Sequence, residues 1–291
     1  MESYFLQFLS GLMSSMFLFL LAAGLSLIFG VSKIINISHG AFYMLGAYLL
    51  VTMSRFGQLN IWMFLAVAII GSVIVGLLGA LLEAVILRRV YRGGMLVVAL
   101  VTFGVLAVME ELAKIIWGAE LTAVPPPRGF DGAFAIAGSS VPLYNISLIV
   151  AGVLVAIAVW AVVEKTRYGL LIRAAAMDRE MLGALGIPVP RIFTLTFGFG
   201  TALAGLAGFL AAPMVSISPT MGSSIIIDAF AVVVIGGLGS LPGSLLGAFI
   251  VGQTQAFGIM LMPESTMLLL YVLMAVILIV RPGGLMGAKP N

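Results

Sequence analysis

Long apolar blocks without charged residues dominate this chain and limit what it can fold into. The first block runs from about Tyr4 to Phe29, and similar blocks recur to the end of the chain. Uncharged apolar runs of about 18 residues or more are typical of transmembrane helices. Charged residues make up 9% of the 291 residues, whereas a soluble globular domain carries roughly 25%. The sequence therefore predicts an all-α, polytopic membrane bundle and excludes a soluble domain or a disordered chain.

The blocks divide residues 1–291 into about eight membrane segments of one transmembrane domain. Two apolar elements, Ala41–Met53 and Ile225–Phe257, are short or interrupted by glycine and proline. As a helix, Ala41–Met53 is about 20 Å long, which is less than the roughly 30 Å hydrocarbon core. The remaining blocks are predicted to cross: Tyr4–Phe29, Ile61–Leu87, Met95–Trp117, Leu143–Val163, Ile192–Ala212 and Thr266–Val280.

Lysine and arginine cluster in the gaps between apolar blocks, where topology determinants belong. By the positive-inside rule we expect all three clusters in the cytoplasm. A segment at 164–191 is then cytoplasmic, and a loop at 118–142 is external. The net charge of +3 follows from these clusters and does not indicate nucleic-acid binding. The clusters are Arg88, Arg89 and Arg92; then Lys165, Arg167, Arg173, Arg179 and Arg191; and finally Arg281 and Lys289.

Orientation also constrains the interrupted block Ile225–Phe257. Because Pro213–Ser224 is expected outside, this block has to leave the outer side and return to it. It can do so as two short spans or as a re-entrant hairpin that turns at Gly236–Gly243. Each half of the chain thus contains a short, broken element, which in transporters with internal repeats points to the substrate pathway. We expect a pseudo-repeat whose hinge or broken-helix glycines are Gly40, Gly46, Gly236, Gly237, Gly239 and Gly243.

Four polar residues in or beside these broken elements are candidates for the translocation pathway: Asn36, Ser38, His39 and Asp228. Polar groups at membrane depth are costly and tend to face a cavity or a partner helix. The alternatives are an interfacial position, an N-cap role for Ser38 and an N-cap role for Asp228, which could instead bind a cationic part of the solute. With one histidine and no cysteine, a multi-histidine or thiolate metal site is excluded.

Other charged residues near membrane segments have simpler interpretations. Glu110 and Lys114 are spaced i,i+4, and we expect an ion pair between them rather than acid–base chemistry with Glu111. We expect Glu83 to snorkel beside Arg88. In the cytoplasmic segment, Leu170–Leu185 predicts one short helix that ends at Gly186. That helix could lie on the membrane surface or dock into a groove on a soluble partner.

Four stretches of the sequence resemble the LivH-type permeases, which are membrane subunits of ATP-binding-cassette importers for branched-chain amino acids and related solutes. The first is GLSLIFGVSKIINISHGAFYMLGAYL, at Gly24–Leu49. The second, YGLLIRAAAMDREMLGALGIPVPRI at Tyr168–Ile192, resembles the coupling segment of that family. The third and fourth, Asp228–Gly252 and RPGGLMG at Arg281–Gly287, resemble its glycine-rich and C-terminal motifs. The resemblance covers nearly the whole chain.

The resemblance implies one of two permease subunits in a bacterial inner-membrane importer. The partners it implies are a LivM-type second permease, two cytoplasmic ATPase subunits, a periplasmic solute-binding protein and membrane lipid. ATP and Mg would be bound by the ATPase subunits, and this chain would bind no cofactor and catalyse no reaction. The residues that map onto the ATPase-coupling helix are Arg173, Ala174, Asp178, Ala184, Gly186 and Ile187.

The resemblance leaves two questions open. Typical members carry a small residue where Met181 and Leu182 stand, so the choice of ATPase partner is not determined. The wider family also handles urea, short amides and carboxylates. The alternative functions are an autonomous channel or secondary transporter for a solute such as urea or an amide, and a membrane enzyme. Few intramembrane charges suit ion coupling, and no cluster of acid–base residues suits an enzyme.

Overall fold

The computed structural model describes residues 2–136 and 139–287 and forms a bundle of α-helices. A π-helical turn at Glu83–Leu87 and a 3-10 turn at Tyr91–Gly93 flank a short helix at Arg88–Val90. The helices are α1 (Glu2–Ser32), α2 (His39–Ser54), α3 (Ile61–Leu82), α4 (Arg88–Val90), α5 (Gly94–Trp117), α6 (Leu143–Lys165), α7 (Arg167–Met177), α8 (Arg179–Ala184), α9 (Val189–Ala211), α10 (Met221–Gly236), α11 (Leu241–Leu261) and α12 (Thr266–Val280).

Six stretches of helix in the described part of the chain are long and apolar enough to cross a membrane. One of them, Ile61–Trp117, has 57 residues and includes both α3 and α5. The chain reverses within it, because its two ends meet the same end of α2. Trp117 donates a hydrogen bond from Nε1 to Thr52 Oγ1 at 2.8 Å, and Phe64 lines a small cavity with Leu50. The predicted all-α polytopic bundle is confirmed.

The centre of the bundle is built where glycine lets helix backbones touch. Side chains on α1, α2, α9 and α10 form most of the buried core. A Cβ added at Gly46 of α2 would collide with the carbonyl oxygen of Gly205 on α9, and one at Gly208 would collide with that of Tyr43. Close approach of small residues is the main way that membrane helices gain packing energy, since lipid is as apolar as they are. Gly46 therefore lies inside α2 at a helix crossing, and the prediction that it marks a break was wrong.

Three basic clusters come together at one end of the bundle, here called the basic end. Arg88 begins α4, Lys165 ends α6 and Arg281 directly follows α12. The chain after Arg281 returns to α10. Leu285 and Met286 donate backbone hydrogen bonds at 2.9 Å to the carbonyl oxygens of Ile235 and Gly236. Lys289, which the third cluster also included, lies outside the described residues.

The opposite end is formed by the two segments expected on the external side. Thr122 and Ile217 exchange backbone hydrogen bonds at 2.9 Å, which joins loop 118–142 to the connection before α10. The loop contains a hairpin of β1 (Ala133–Ile136) and β2 (Ser139–Pro142), paired antiparallel from Ala133 with Pro142 to Ile136 with Ser139. β2 leads directly into α6.

Candidate translocation site and coupling segment

The two short helices begin against each other inside the bundle. α2 and α10 have 16 residues each, and a Cβ added at Gly40 would collide with the carbonyl oxygen of Gly222. From this junction α2 runs to the opposite end and α10 runs to the basic end. The break that pairs with residues 33–38 therefore precedes α10, and it is not at Gly236–Gly243 as predicted. The first N–H groups of a helix lack intrahelical partners and carry partial positive charge. The N-termini of α2 and α10 therefore place two partial positive charges beside each other at this junction.

Asn36, Ser38 and His39 lie at this junction and are completely buried. Ser38 Oγ donates to Asn36 Oδ1 at 2.7 Å, and His39 Nε2 lies 3.0 Å from the carbonyl oxygen of Leu21. Leu21 is about 16 Å along α1 from Ser32, where this helix ends at the basic end. These side chains therefore lie at membrane depth and not at an interface. Ser38 occupies the N-cap position of α2 but forms no side-chain capping bond. Among the described residues, Asn36 Nδ2 and His39 Nδ1 have no hydrogen-bond partner.

Glu110 completes the junction, which the sequence analysis missed. Its Oε1 accepts hydrogen bonds from the backbone N–H and the hydroxyl of Ser223, in the first turn of α10. The predicted pair of Glu110 with Lys114 is wrong, since Lys114 Nζ instead lies 2.5 Å from Glu111 Oε1. The two bonded residues are 113 positions apart, so no local pattern could have revealed the contact.

Asp228 lies within α10, and the prediction that it caps this helix was wrong. It lines a cavity of about 660 Å³ between α10, α11 and α12. Among the described residues that line the cavity, none is lysine or arginine. The polar ones besides Asp228 are Ser224, Gln255, Glu264, Thr266 and Tyr271. This wall offers carboxylate, amide and hydroxyl groups, which suit a cationic or hydrogen-bonding ligand.

The glycine-rich turn joins α10 to α11 as a tight hairpin, as predicted. Gly237 (φ +110°) and Gly239 (φ +83°) adopt backbone conformations that residues with a Cβ rarely take. Gly236 ends α10, and a Cβ there would collide with Gly243 in the first turn of α11. With 21 residues, α11 is long enough to cross the bilayer. The hairpin is therefore one short helix followed by one full-length helix.

The expected single helix at Leu170–Leu185 is divided into α7 and α8 at Asp178. The backbone of Asp178 is extended, and its Oδ1 accepts from the N–H groups of Glu180 and Met181 at 3.0 and 2.9 Å. Asp178 is thus the N-cap of α8. Gly186 ends α8 with a φ of +78°, which confirms it as the stop.

Side chains in this segment divide into those that hold it to the bundle and those that are exposed. Arg173 donates to the carbonyl oxygen of Val163 and lies 3.3 Å from Glu164 Oε2, so it points back to α6. Ala174 and Ile187 pack against a small apolar cluster of Val31, Ile172, Ala175, Leu182 and Ile192. Ala184, at the end of α8, is exposed. The sequence analysis missed an exposed apolar row of Met177, Met181 and Leu185, in which Met177 is 90% exposed.

A family model described as the permease component of branched-chain amino acid transport systems matches residues 7–280. This chain belongs to that permease family. It is 28% identical to the high-affinity branched-chain amino acid transport system permease protein LivH of Salmonella typhimurium, over 99% of this chain and 98% of that protein. It is also 28% identical to the corresponding protein BraD of Pseudomonas aeruginosa, over 98% and 96% of the two chains.

A further relative is the permease protein LivM of Escherichia coli, from a transport system of the same description. This permease is 26% identical to LivM over 94% of its own length and 68% of the length of LivM. No solved structure matches the chain with significance.

The permease brings together some of the predicted pathway residues and separates others. Asn36, Ser38 and His39 meet Gly40 at the junction of the short helices, and Glu110 joins them from α5. Asp228 is further along α10 and lines the flanking cavity. The glycines at 236–243 lie near the basic end, away from both. The candidate site therefore has two parts. One is a buried polar centre formed by Asn36, Ser38 and His39, and the other is an acidic wall, which is the side of the flanking cavity that carries Asp228.

Proposed function

We propose that this permease is a membrane-spanning subunit of an ATP-driven importer for branched-chain amino acids or a related small polar solute, delivered by a periplasmic binding protein. The observation that carries the proposal is the family match across residues 7–280. The paired N-termini of α2 and α10 support it, because broken helices that meet inside a bundle are a common way to build a solute site. In this proposal the chain forms part of the solute pathway and does not catalyse a reaction.

The partners we propose are a second, LivM-type permease, two cytoplasmic ATPase subunits and the binding protein, all at the bacterial inner membrane. ATP and Mg are bound by the ATPase subunits. The relatedness of this chain to both LivH and LivM supports pairing of two similar permease subunits. Met177, Met181 and Leu185 at the basic end support docking of α7 and α8 into a groove on an ATPase subunit.

In the proposed pathway, the solute reaches the junction of α2 and α10 and the acidic wall beside it. The partial positive charge of the two helix N-termini suits a carboxylate. Asp228 suits an ammonium group, since a charge-assisted hydrogen bond is about twice as strong as a neutral one. An amino acid carries both groups. Asn36, Ser38 and His39 then shape the polar centre through which the solute passes.

The test is uptake of radiolabelled leucine into vesicles that contain either the co-expressed complex or this chain alone. The proposal predicts uptake only when both permeases, the ATPase subunits, ATP and loaded binding protein are present. Uptake by this chain alone, without ATP, would contradict the proposal and favour an autonomous channel. A parallel series with urea and a short amide identifies the solute class in either case.

A further inference from the structure

Glu83 is a charged residue buried at the junction between the membrane helices and the coupling segment. Its side chain is 1% exposed, so the prediction that it snorkels to the surface was wrong. It begins the π-helical turn Glu83–Leu87 that follows α3. Single π-helical turns inside α-helices are rare and occur frequently at functional sites.

Three partners surround the carboxylate. Oε2 lies 3.1 Å from Arg88 Nη2 and accepts from Thr194 Oγ1 at 2.6 Å. Oε1 accepts from Tyr91 Oη at 3.2 Å. Arg88 also donates to Thr194 Oγ1. The single hydroxyl proton of Thr194 has two acceptors within reach, and Glu83 Oε2 at 2.6 Å is nearer than the carbonyl oxygen of Pro190 at 3.0 Å. We call Glu83 and its three partners the Glu83 latch. Both carboxylate oxygens are satisfied, as a buried charge requires.

The latch joins α3 to the first turns of α9, directly after the coupling segment. Thr194 follows the start of α9 at Val189, and the neighbouring Phe193 packs edge-on against Tyr91 with ring centroids 6.2 Å apart. From the other side, Tyr168 of α7 donates to Thr196 at 3.2 Å. The first turns of α9 are therefore held between the coupling helix α7 and the end of α3.

Beyond the latch, α3 and α9 stay in contact toward the opposite end. Gly76 and Gly198 approach closely, as do Val75 and Gly205. Gly205 is also where α9 crosses α2, the helix that begins at the polar junction. A displacement of α7 and α8 can thus be transmitted to α2 and α3 through α9. This requires that the first turns of α9 and the end of α3 move together.

We propose that Glu83 is a positioning residue that makes α3 follow the coupling segment, so that ATP hydrolysis by the partner subunits moves the transport pathway. This inference rests on the proposed function. Glu83 does not contact the solute in this role. It acts through Thr194, Arg88 and Tyr91, and without it the coupling segment moves while α3 stays in place. Hydrolysis then continues with less transport for each ATP.

The experiment measures leucine taken up per ATP hydrolysed by the full complex in vesicles, with the variants Glu83→Gln and Thr194→Val. Loss of a hydrogen bond to a charged group reduces an equilibrium by about tenfold. We therefore expect the uptake per ATP to fall by about tenfold or more for Glu83→Gln, and by about tenfold for Thr194→Val, which loses one hydrogen bond to the same carboxylate. The basal rate of hydrolysis stays at the wild-type level. The double variant is no worse than Glu83→Gln, because both changes break one interaction.

Ser72→Ala is the matched control. Ser72 is a buried residue of α3, and among the described residues its hydroxyl donates to the carbonyl oxygen of Ala68 on α3 itself. This variant should retain the wild-type ratio of uptake to hydrolysis. Wild-type ratios in Glu83→Gln and Thr194→Val, in complexes that assemble with all subunits, would overturn the inference. A wild-type complex without ATP-dependent uptake would instead overturn the proposed function.

Discussion

The carboxylate of Glu110 accepts two hydrogen bonds from Ser223, one from the backbone N–H at 2.9 Å and one from the hydroxyl at 2.7 Å. Glu110 is on α5, and Ser223 is in the first turn of α10. The bond to the N–H satisfies one of the unpaired donors at the start of α10. A carboxylate at this position also opposes the partial positive charge of the helix N-terminus. Glu110 therefore fixes where α10 begins, beside the start of α2.

Replacing Glu110 with alanine should destabilise the permease by about 1–2 kcal/mol, the usual cost of losing a helix cap. The unfolding midpoint of the purified protein in detergent measures this. Glu111→Ala is the control, because its exposed pair with Lys114 is a surface ion pair worth less than about 1 kcal/mol. Equal midpoints for the two variants would show that Glu110 does not cap α10.

A methyl group at the crossing of α2 and α9 should be far more damaging than one elsewhere. We expect Gly46→Ala to destabilise the permease by about 3 kcal/mol or more, because its Cβ meets the backbone of Gly205 and the helices must separate. Gly104→Ala on α5 is the control, since no side chain or other helix among the described residues lies within 4 Å of its added Cβ. It should be neutral or stabilising by about 1 kcal/mol. Unfolding midpoints that fall equally in both variants would disprove this packing.

Charges placed on the exposed row of the coupling segment should release the ATPase subunits. We expect Met177→Glu combined with Met181→Glu to reduce co-purification of the ATPase by about tenfold or more, because a buried unpaired charge opposes docking. Met262→Glu is the control, with a methionine 57% exposed at the opposite end. Full co-purification with the double variant would place the ATPase contact elsewhere.

Asp228→Asn should raise the KM for leucine uptake by about tenfold, because the solute ammonium loses a charged partner. The unfolding midpoint should change little, since Asp228 forms no ion pair among the residues that the structure describes. Glu264→Gln, at the exposed rim of the same cavity, is the control and should retain the wild-type KM. A KM that Asp228→Asn leaves unchanged would remove this cavity from the pathway.

The spans and their ends were predictable because their signals are local. Thr266–Val280 and the start of α6 at Leu143 agree with the structure, since proline, glycine and charged residues mark those boundaries in the sequence. The burial of Asn36 and His39 was also anticipated as one of the two alternatives considered. A broken apolar element can hold polar residues at membrane depth only inside the protein.

The remaining errors concern partners that are distant in the sequence, or a local signal that was overlooked. Glu110 bonds to Ser223 and Glu83 bonds to Thr194 across more than 100 positions, and helix periodicity contains no information about such pairs. Asp228 was placed near a helix start because the apolar block was taken to begin at Ile225, whereas α10 begins at Met221. The break at Asp178 was visible in principle, because aspartate before a short helix is a common N-cap.

The burial of α1 has a consequence for biogenesis. α1 is made first, whereas α9 and α11, two of the helices that cover it, are made after α3 and α6. At about 5–20 residues per second, α1 waits on the order of ten seconds before α9 emerges from the ribosome. During that time Ser15 and Ser26, both buried in the finished bundle, face lipid or the insertion machinery. We therefore expect slower synthesis to prolong the exposure of these two serines before the helices that bury them are made.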